Sequence, residues 1–221
     1  MLSINENNVS DCIVCLLIIF IILLIFCESN IDNFTSIFSS REKVCIAGGE
    51  CYEVCKEFEN KDKAAELLNH LNLMNVAVLR HVRSTRGVAS PRFQKKVDAL
   101  LKRYNPQVMM ENTPHNNDSP RTTSYTTNKG ENMMICVRSL ETDALEDISV
   151  LEFVVLHELA HVATEIWGHE VPFWVTFKWV LQQAKDAGIH EPVNYSLKPV
   201  RYCGMNINYN PFFDGTVEDL K

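Results

Sequence analysis

The chain has no surplus of positive charge: 21 Lys and Arg stand against 28 Asp and Glu in 221 residues, a formal net charge of -7. Nucleic acid is usually met by a basic excess or a clustered basic face, so direct nucleic-acid binding finds no support in the charge. Lysine and arginine are missing altogether before Arg41. A cleaved signal peptide carries a basic n-region and a small-residue cleavage site, and neither is present. Beyond residue 28 the cysteines Cys45, Cys51, Cys55, Cys136 and Cys203 form no C-x2-C unit, and no histidine lies near the first three, so they do not match a common structural zinc site. Five cannot all pair; free thiols are the reading favoured here, with a single disulfide open to an oxidising environment. No internal repeat is visible.

What is present begins with one long apolar run, residues 12–27, without charge, Gly or Pro. As a helix it spans about 24 Å, a little short of a ~30 Å hydrocarbon core but within reach of local thinning. It reads as a transmembrane anchor, with residues 1–11 as a tail and 28–58 as a linker or juxtamembrane segment. The nearest cations, Arg41 and Lys43, lie after the run, which places the bulk of the chain on the cytoplasmic side of a single-pass arrangement with the lipid bilayer as a partner. A domain is expected over 59–214 and a short tail over 215–221, enough chain for one core.

Within that domain, Leu67, Leu71, Met74, Val78 and Val82 recur at helical steps from Lys61 to about Arg83. Pro91 suits the first turn of a second helix with Phe93, Val97, Leu100, Leu101 and Tyr104 on its buried stripe. His70 and His81 have no companions at ligand spacing and read as surface or core residues. Residues 105–130, rich in Asn, Pro, Ser and Thr, read as an extended loop containing His115. Residues 131–139 then alternate as a strand.

The chemistry is concentrated in VVLHELAHVATEIWGHEVPFW, residues 154–174. Ser149 and Glu152 fit a capping box that starts a helix running to Trp167. Four residues apart, His157 and His161 are one turn plus about 40° from each other and share a face. Glu158 follows at about 100°, able to reach a water on an ion held by the histidines. Gly168 breaks the helix, His169 follows at once, and Pro172 starts another helix that ends at Gly188. His157, His161 and His169 are therefore the candidate ligands, with Glu158 as general base. Glu165 and Glu170 rank below His169. Unpaired imidazoles buried on this helix would carry a desolvation cost.

H-E-L-A-H, then Gly-His, then Pro-Phe-Trp resembles the WLM family of zinc metallopeptidases, related to the SprT-like proteases, most strongly over 150–190. The segments SYTTNKGENMMICVRS and KPVRYCGMNINYNPFFD look like parts of uncharacterised WLM-like proteins of large DNA viruses. The resemblance implies an α+β, zincin-like domain, mostly helical, with a small sheet beside the metal helix. It also implies Zn²⁺ on His157, His161 and His169, Glu158 as general base, and the strand near Met133 to Arg138 as the sheet edge beside the cleft. Family members of the cellular kind act on proteins crosslinked to DNA through DNA-binding or partner-binding segments, which are not visible in this chain.

The expected function is thus a membrane-anchored zinc metalloprotease cleaving a protein or peptide substrate; Tyr195 and Tyr202 read first as packing tyrosines, with a role as oxyanion stabiliser the lesser alternative. The first alternative is a catalytically inactive zinc-binding interaction module tethered to a membrane. A second is a tethered scaffold with no metal.

Overall fold

Period-two and period-3.6 patterns resolve into seven short strands and four helices in a computed structural model that describes residues 41–88, 90–112 and 123–220. In chain order these are β1 (Arg41–Cys45), β2 (Cys51–Cys55), α1 (Lys61–Thr85), α2 (Pro91–Arg103), β3 (Met109–Glu111), β4 (Tyr125–Thr127), β5 (Asn132–Ile135), α3 (Ile148–Ala163), α4 (Val171–Asp186), β6 (Val200–Tyr202) and β7 (Met205–Ile207). The domain is α+β.

The two most apolar helices form its centre. α3 buries most of its circumference, including Leu151, Val155, Leu156 and Leu159 with no exposure, and packs against α4, α2 and α1. A helix apolar on all sides is stable only when neighbours surround it, and each such Leu or Val contributes about 1.5–3 kcal/mol. α1 supplies Leu68, Leu71, Val78 and Val82 to the same core. α2 starts where Ser90 accepts the Phe93 amide and Pro91 occupies the first turn, and buries Phe93, Val97 and Leu100.

Strands β3, β5 and β4 form one sheet in that order, β3 parallel and β4 antiparallel to the central β5. β1 and β2 make an antiparallel hairpin, in the stretch read from sequence as linker; Tyr52 and Val54 of β2 belong to the common core. A buried ion pair joins this hairpin to the sheet. Arg138 Nε donates to Glu111 Oε1 at 2.6 Å, and the Cys55 amide donates to Glu111 Oε2 at 2.7 Å. Burial pushes the Glu111 carboxyl up, against the amide and the guanidinium, which hold it down.

Three expectations are corrected. Among the described residues no helix is long and apolar enough to cross a membrane. α1 has the length but carries Lys61, Asp62, Lys63, Glu66, Arg80 and Arg83, while α3 and α4, 16 residues each, reach only about 24 Å. On this finding the membrane-anchored reading, its inactive tethered alternative, the single-pass localisation and the bilayer partner are withdrawn; residues 12–27, on which they rested, lie outside the described residues.

The second correction concerns the thiols, four of which pair: Cys45 with Cys51 and Cys136 with Cys203, leaving Cys55 free and buried. Hairpin register places Cys45 opposite Cys51. Cys203 reaches Cys136 from a two-residue turn, Cys203-Gly204, in which both φ are positive (44° and 77°), the geometry that a tight hairpin between β6 and β7 demands.

The third is the helix cap. Asp147, not Ser149, begins α3, its carboxylate accepting the Ser149 amide at 2.8 Å. Glu152 is drawn away from the backbone by two imidazoles, His190 Nδ1 at 3.0 Å and His70 Nε2 at 3.1 Å.

Candidate metal centre

The last two turns of α3 carry His157 and His161 on one face, and the chain leaves the helix at Thr164. Arg103, at the end of α2, donates to the carbonyls of Val162 (3.1 Å) and Thr164 (3.2 Å), satisfying acceptors that the helix end leaves open. Lys129 donates to the Ile166 carbonyl, and its ammonium lies 4.6 Å above the Trp167 ring. Gly168, with φ +74°, turns the chain back, and His169 arrives immediately before α4.

The outcome is a triangle of imidazole Nε2 atoms with sides of 2.9 Å (His157–His169), 3.2 Å (His157–His161) and 3.2 Å (His161–His169). This cluster is capable of coordinating a metal ion. A small divalent ion taking nitrogen at about 2.0–2.1 Å in tetrahedral geometry separates its ligand atoms by about 3.3 Å, close to the observed sides. Phe173, fully buried on α4, backs all three rings, with centroid distances of 4.8, 4.3 and 4.7 Å to His157, His161 and His169. Rings packed in this way lose little further freedom when an ion binds.

Electrostatics agree with the donor set. Burial holds His157 well below the ordinary histidine range, with the charges of His161 and His169 adding to the effect. His161 is lowered to about 3, first by burial and then by His169 and Lys129, and His169 is lowered by burial. All three are therefore neutral around pH 7, the form that ligates a metal.

Glu158 lies on the same turn, 3 % exposed, at the wall of a cavity that also reaches His157 and His169. Thr126 Oγ1 donates to its Oε2 at 2.8 Å. Burial raises its carboxyl to about 7, against the lowering effect of that hydrogen bond. Thr126 belongs to β4, which is an edge strand of the three-stranded sheet, whereas β5 is central. The strand beside Glu158 is thus Tyr125–Thr127 and not the one near Met133 to Arg138. The Tyr-Thr-Thr triplet, rich in strand formers, was the signal for it inside a region that otherwise reads as loop.

The remaining candidates are dispersed. Glu165 and Glu170 are exposed and stand outside the histidine cluster. Tyr195 is buried with its ring 4.8 Å from Phe153 and its hydroxyl without a hydrogen-bond partner, and burial raises it to about 12. Tyr202 does line the cavity, but its hydroxyl donates to the Cys136 carbonyl at 2.9 Å and pairs with Ser124 Oγ at 2.6 Å, so it is already engaged. Sequence reasoning missed Ser124, Thr126 and the wall from Met205 to Tyr209, none of which sits at a recognisable spacing from the histidines.

No family model matches the chain. No solved structure matches it. Similar proteins occur in large DNA viruses. One, from Acanthamoeba polyphaga mimivirus, is 28% identical over 149 residues, covering 67% of this chain and 73% of that protein. Another, from Invertebrate iridescent virus 3, is 37% identical over 82 residues, covering 37% of this chain and 50% of its own length. Both are named only as uncharacterized proteins, so the similarity brings no activity with it.

Proposed function

We propose that His157, His161 and His169 hold zinc and that the chain is a zinc metallopeptidase of the H-E-x-x-H type, akin to the WLM and SprT-like enzymes whose motif it resembles. The observation that carries this reading is the placement of a buried, hydrogen-bonded carboxyl, Glu158, on the same helical turn as a three-nitrogen cluster and at the same cavity. A purely structural metal site is closed by four protein ligands and has no need of such a group; three ligands and an open side are the catalytic arrangement. Zinc bound there supplies Lewis-acid polarisation of a scissile carbonyl and makes water acidic enough to lose a proton near pH 7.

The chain's own residues do the rest. Glu158 accepts the proton of the attacking water and returns it to the leaving amine. Thr126 fixes the orientation of that carboxyl. Phe173 keeps the three imidazoles converging. The edge of β4 and the cavity beside it offer a place for an extended peptide, so the substrate is a protein or peptide.

Zinc content by elemental mass spectrometry and cleavage of a peptide library test the proposal together. One zinc per chain is expected, falling sharply in His169→Ala. Glu158→Gln is expected to retain zinc and to lose at least about 100-fold in cleavage rate. Zinc-loaded protein that cuts no peptide would reduce the site to a metal-binding module, and well-folded protein that takes up no zinc would remove both readings.

A further inference from the structure

Beside the three histidines lies a cavity of about 260 Å³. Its walls come from four separate parts of the chain, three of them largely apolar: Phe153 and Val154 on α3, Trp174 and Phe177 on α4, and Met205 and Ile207 on β7. Trp174 and Tyr209, with centroids 5.2 Å apart and rings nearly perpendicular, both line it. Thr123 and Ser124, which lead into β4, line it from the sheet side. Among the described residues, apart from His157, Glu158 and His169 themselves, no Asp, Glu, Lys, Arg or His contributes to the lining.

Such a chamber treats side chains unequally. An aromatic or long aliphatic group entering it exchanges water for apolar wall on several sides, while a charged group loses hydration and finds no counter-charge. An acidic side chain would in addition approach Glu158. Because the cavity opens onto His157, His169 and Glu158, a group seated in it belongs to a residue adjoining the bond that those side chains address.

We infer that this cavity is the specificity pocket of the enzyme, accepting a bulky apolar side chain, aromatic or Leu/Met-like, of the substrate residue next to the scissile bond. The inference rests on the hydrolase reading for the word substrate, but the pocket's preference is measurable without turnover. Ile207, half-buried on β7, and Met205, 48 % exposed beside it, are the wall positions most open to substitution.

Two measurements decide it. In the first, the full chain labelled with fluorotryptophan is titrated with N-acetyl-phenylalaninamide, N-acetyl-leucinamide, N-acetyl-glycinamide and N-acetyl-aspartamide, following the Trp174 signal by fluorine NMR. The phenylalanine and leucine probes are expected to bind at least about tenfold more tightly than the glycine one, with the aspartate probe weakest. Equal affinities, or no response at Trp174, overturn the pocket assignment whatever the protein cleaves. In the second, zinc-loaded protein is given a random peptide library and the residues flanking each cut are read. Enrichment of apolar residues at one flanking position by about 10- to 100-fold in kcat/KM, shifting toward Lys and Arg in Ile207→Asp, supports the inference. Cleavage indifferent to both flanking residues overturns it. Selective binding of the probes with no cleavage of any peptide would uphold the apolar pocket and sink the hydrolase reading, so the two failures are distinct.

Discussion

The wall that closes the cavity is held by one covalent bond, and its removal has a calculable cost. Cys136 follows β5, and Cys203 sits in the turn between β6 and β7, next to Tyr202 of the cavity lining. The pair is separated by 67 residues, the Cys45–Cys51 pair by only 6. Cross-linking restricts the unfolded chain in proportion to the logarithm of the loop it closes, which gives about 4 kcal/mol for the long loop and about 2 kcal/mol for the short one. For a domain of this size about 2–4 °C of Tm corresponds to each kcal/mol, so Cys136→Ala/Cys203→Ala should melt roughly 8–16 °C lower and Cys45→Ala/Cys51→Ala roughly 4–8 °C lower. Accessibility separates them further: Cys136 and Cys203 are buried, at 0 % and 2 %, whereas Cys45 and Cys51 are not. Mild reductant should open the hairpin bond first and leave the long one intact. Thermal unfolding of the two double variants, with thiol counting under graded reductant, checks all of this. Equal melting shifts, or a larger loss from the hairpin pair, would refute the loop-entropy reasoning. Peptide cleavage should follow the long bond and not the short one, because only the former anchors Tyr202 and the wall to Tyr209.

Two further substitutions probe the frame of the site. Gly130 has φ +114°, and a Cβ there would lie 2.9 Å from the Arg103 carbonyl oxygen, so Gly130→Ala should cost about 1–3 kcal/mol in urea unfolding; an unchanged midpoint would show that the turn after β4 is free to relax. Glu152 is held below its usual range first by the His190 hydrogen bond and then by His70, with burial opposing. A depressed folded value means that its stabilisation is present above the unfolded carboxylate range and is lost as pH falls through the folded value. Glu152→Gln should therefore cost about 1–3 kcal/mol at pH 7, with the gap to the parent protein closing in acid; a gap independent of pH would assign the effect to packing.

Much of the site was legible before any tertiary contact was known, and the reason is that its parts are local. The His157–His161 pair follows from helical pitch alone, and the arrival of His169 follows from the turn at Gly168 and the new helix with Pro172 in its first turn, although α3 already ends at Ala163 and not, as the sequence suggested, at Trp167. The helices at Lys61–Thr85 and Pro91–Arg103 were readable for the same reason, each carrying its own apolar stripe. Local patterns also misled where two partners were available for one group. Ser149 and Glu152 have capping-box spacing, but Asp147 caps the helix and Glu152 pairs with imidazoles from α1 and from the segment after α4. The long apolar run at residues 12–27 likewise argued for an anchor that no described helix bears out.

What the sequence determined by itself, then, is the local frame of the histidine cluster: residues twelve or fewer positions apart, brought together by helical periodicity and a return turn at Gly168. Only the tertiary structure decided which residues surround it. Thr126 meets Glu158 across 32 positions, Ser124 meets Tyr202 across 78, and the two disulfides pair cysteines that spacing could not match. These contacts arise because burying the apolar faces of α3 and α4 brings a sheet edge and a distant hairpin against the same helix, and no spacing along the chain records that choice.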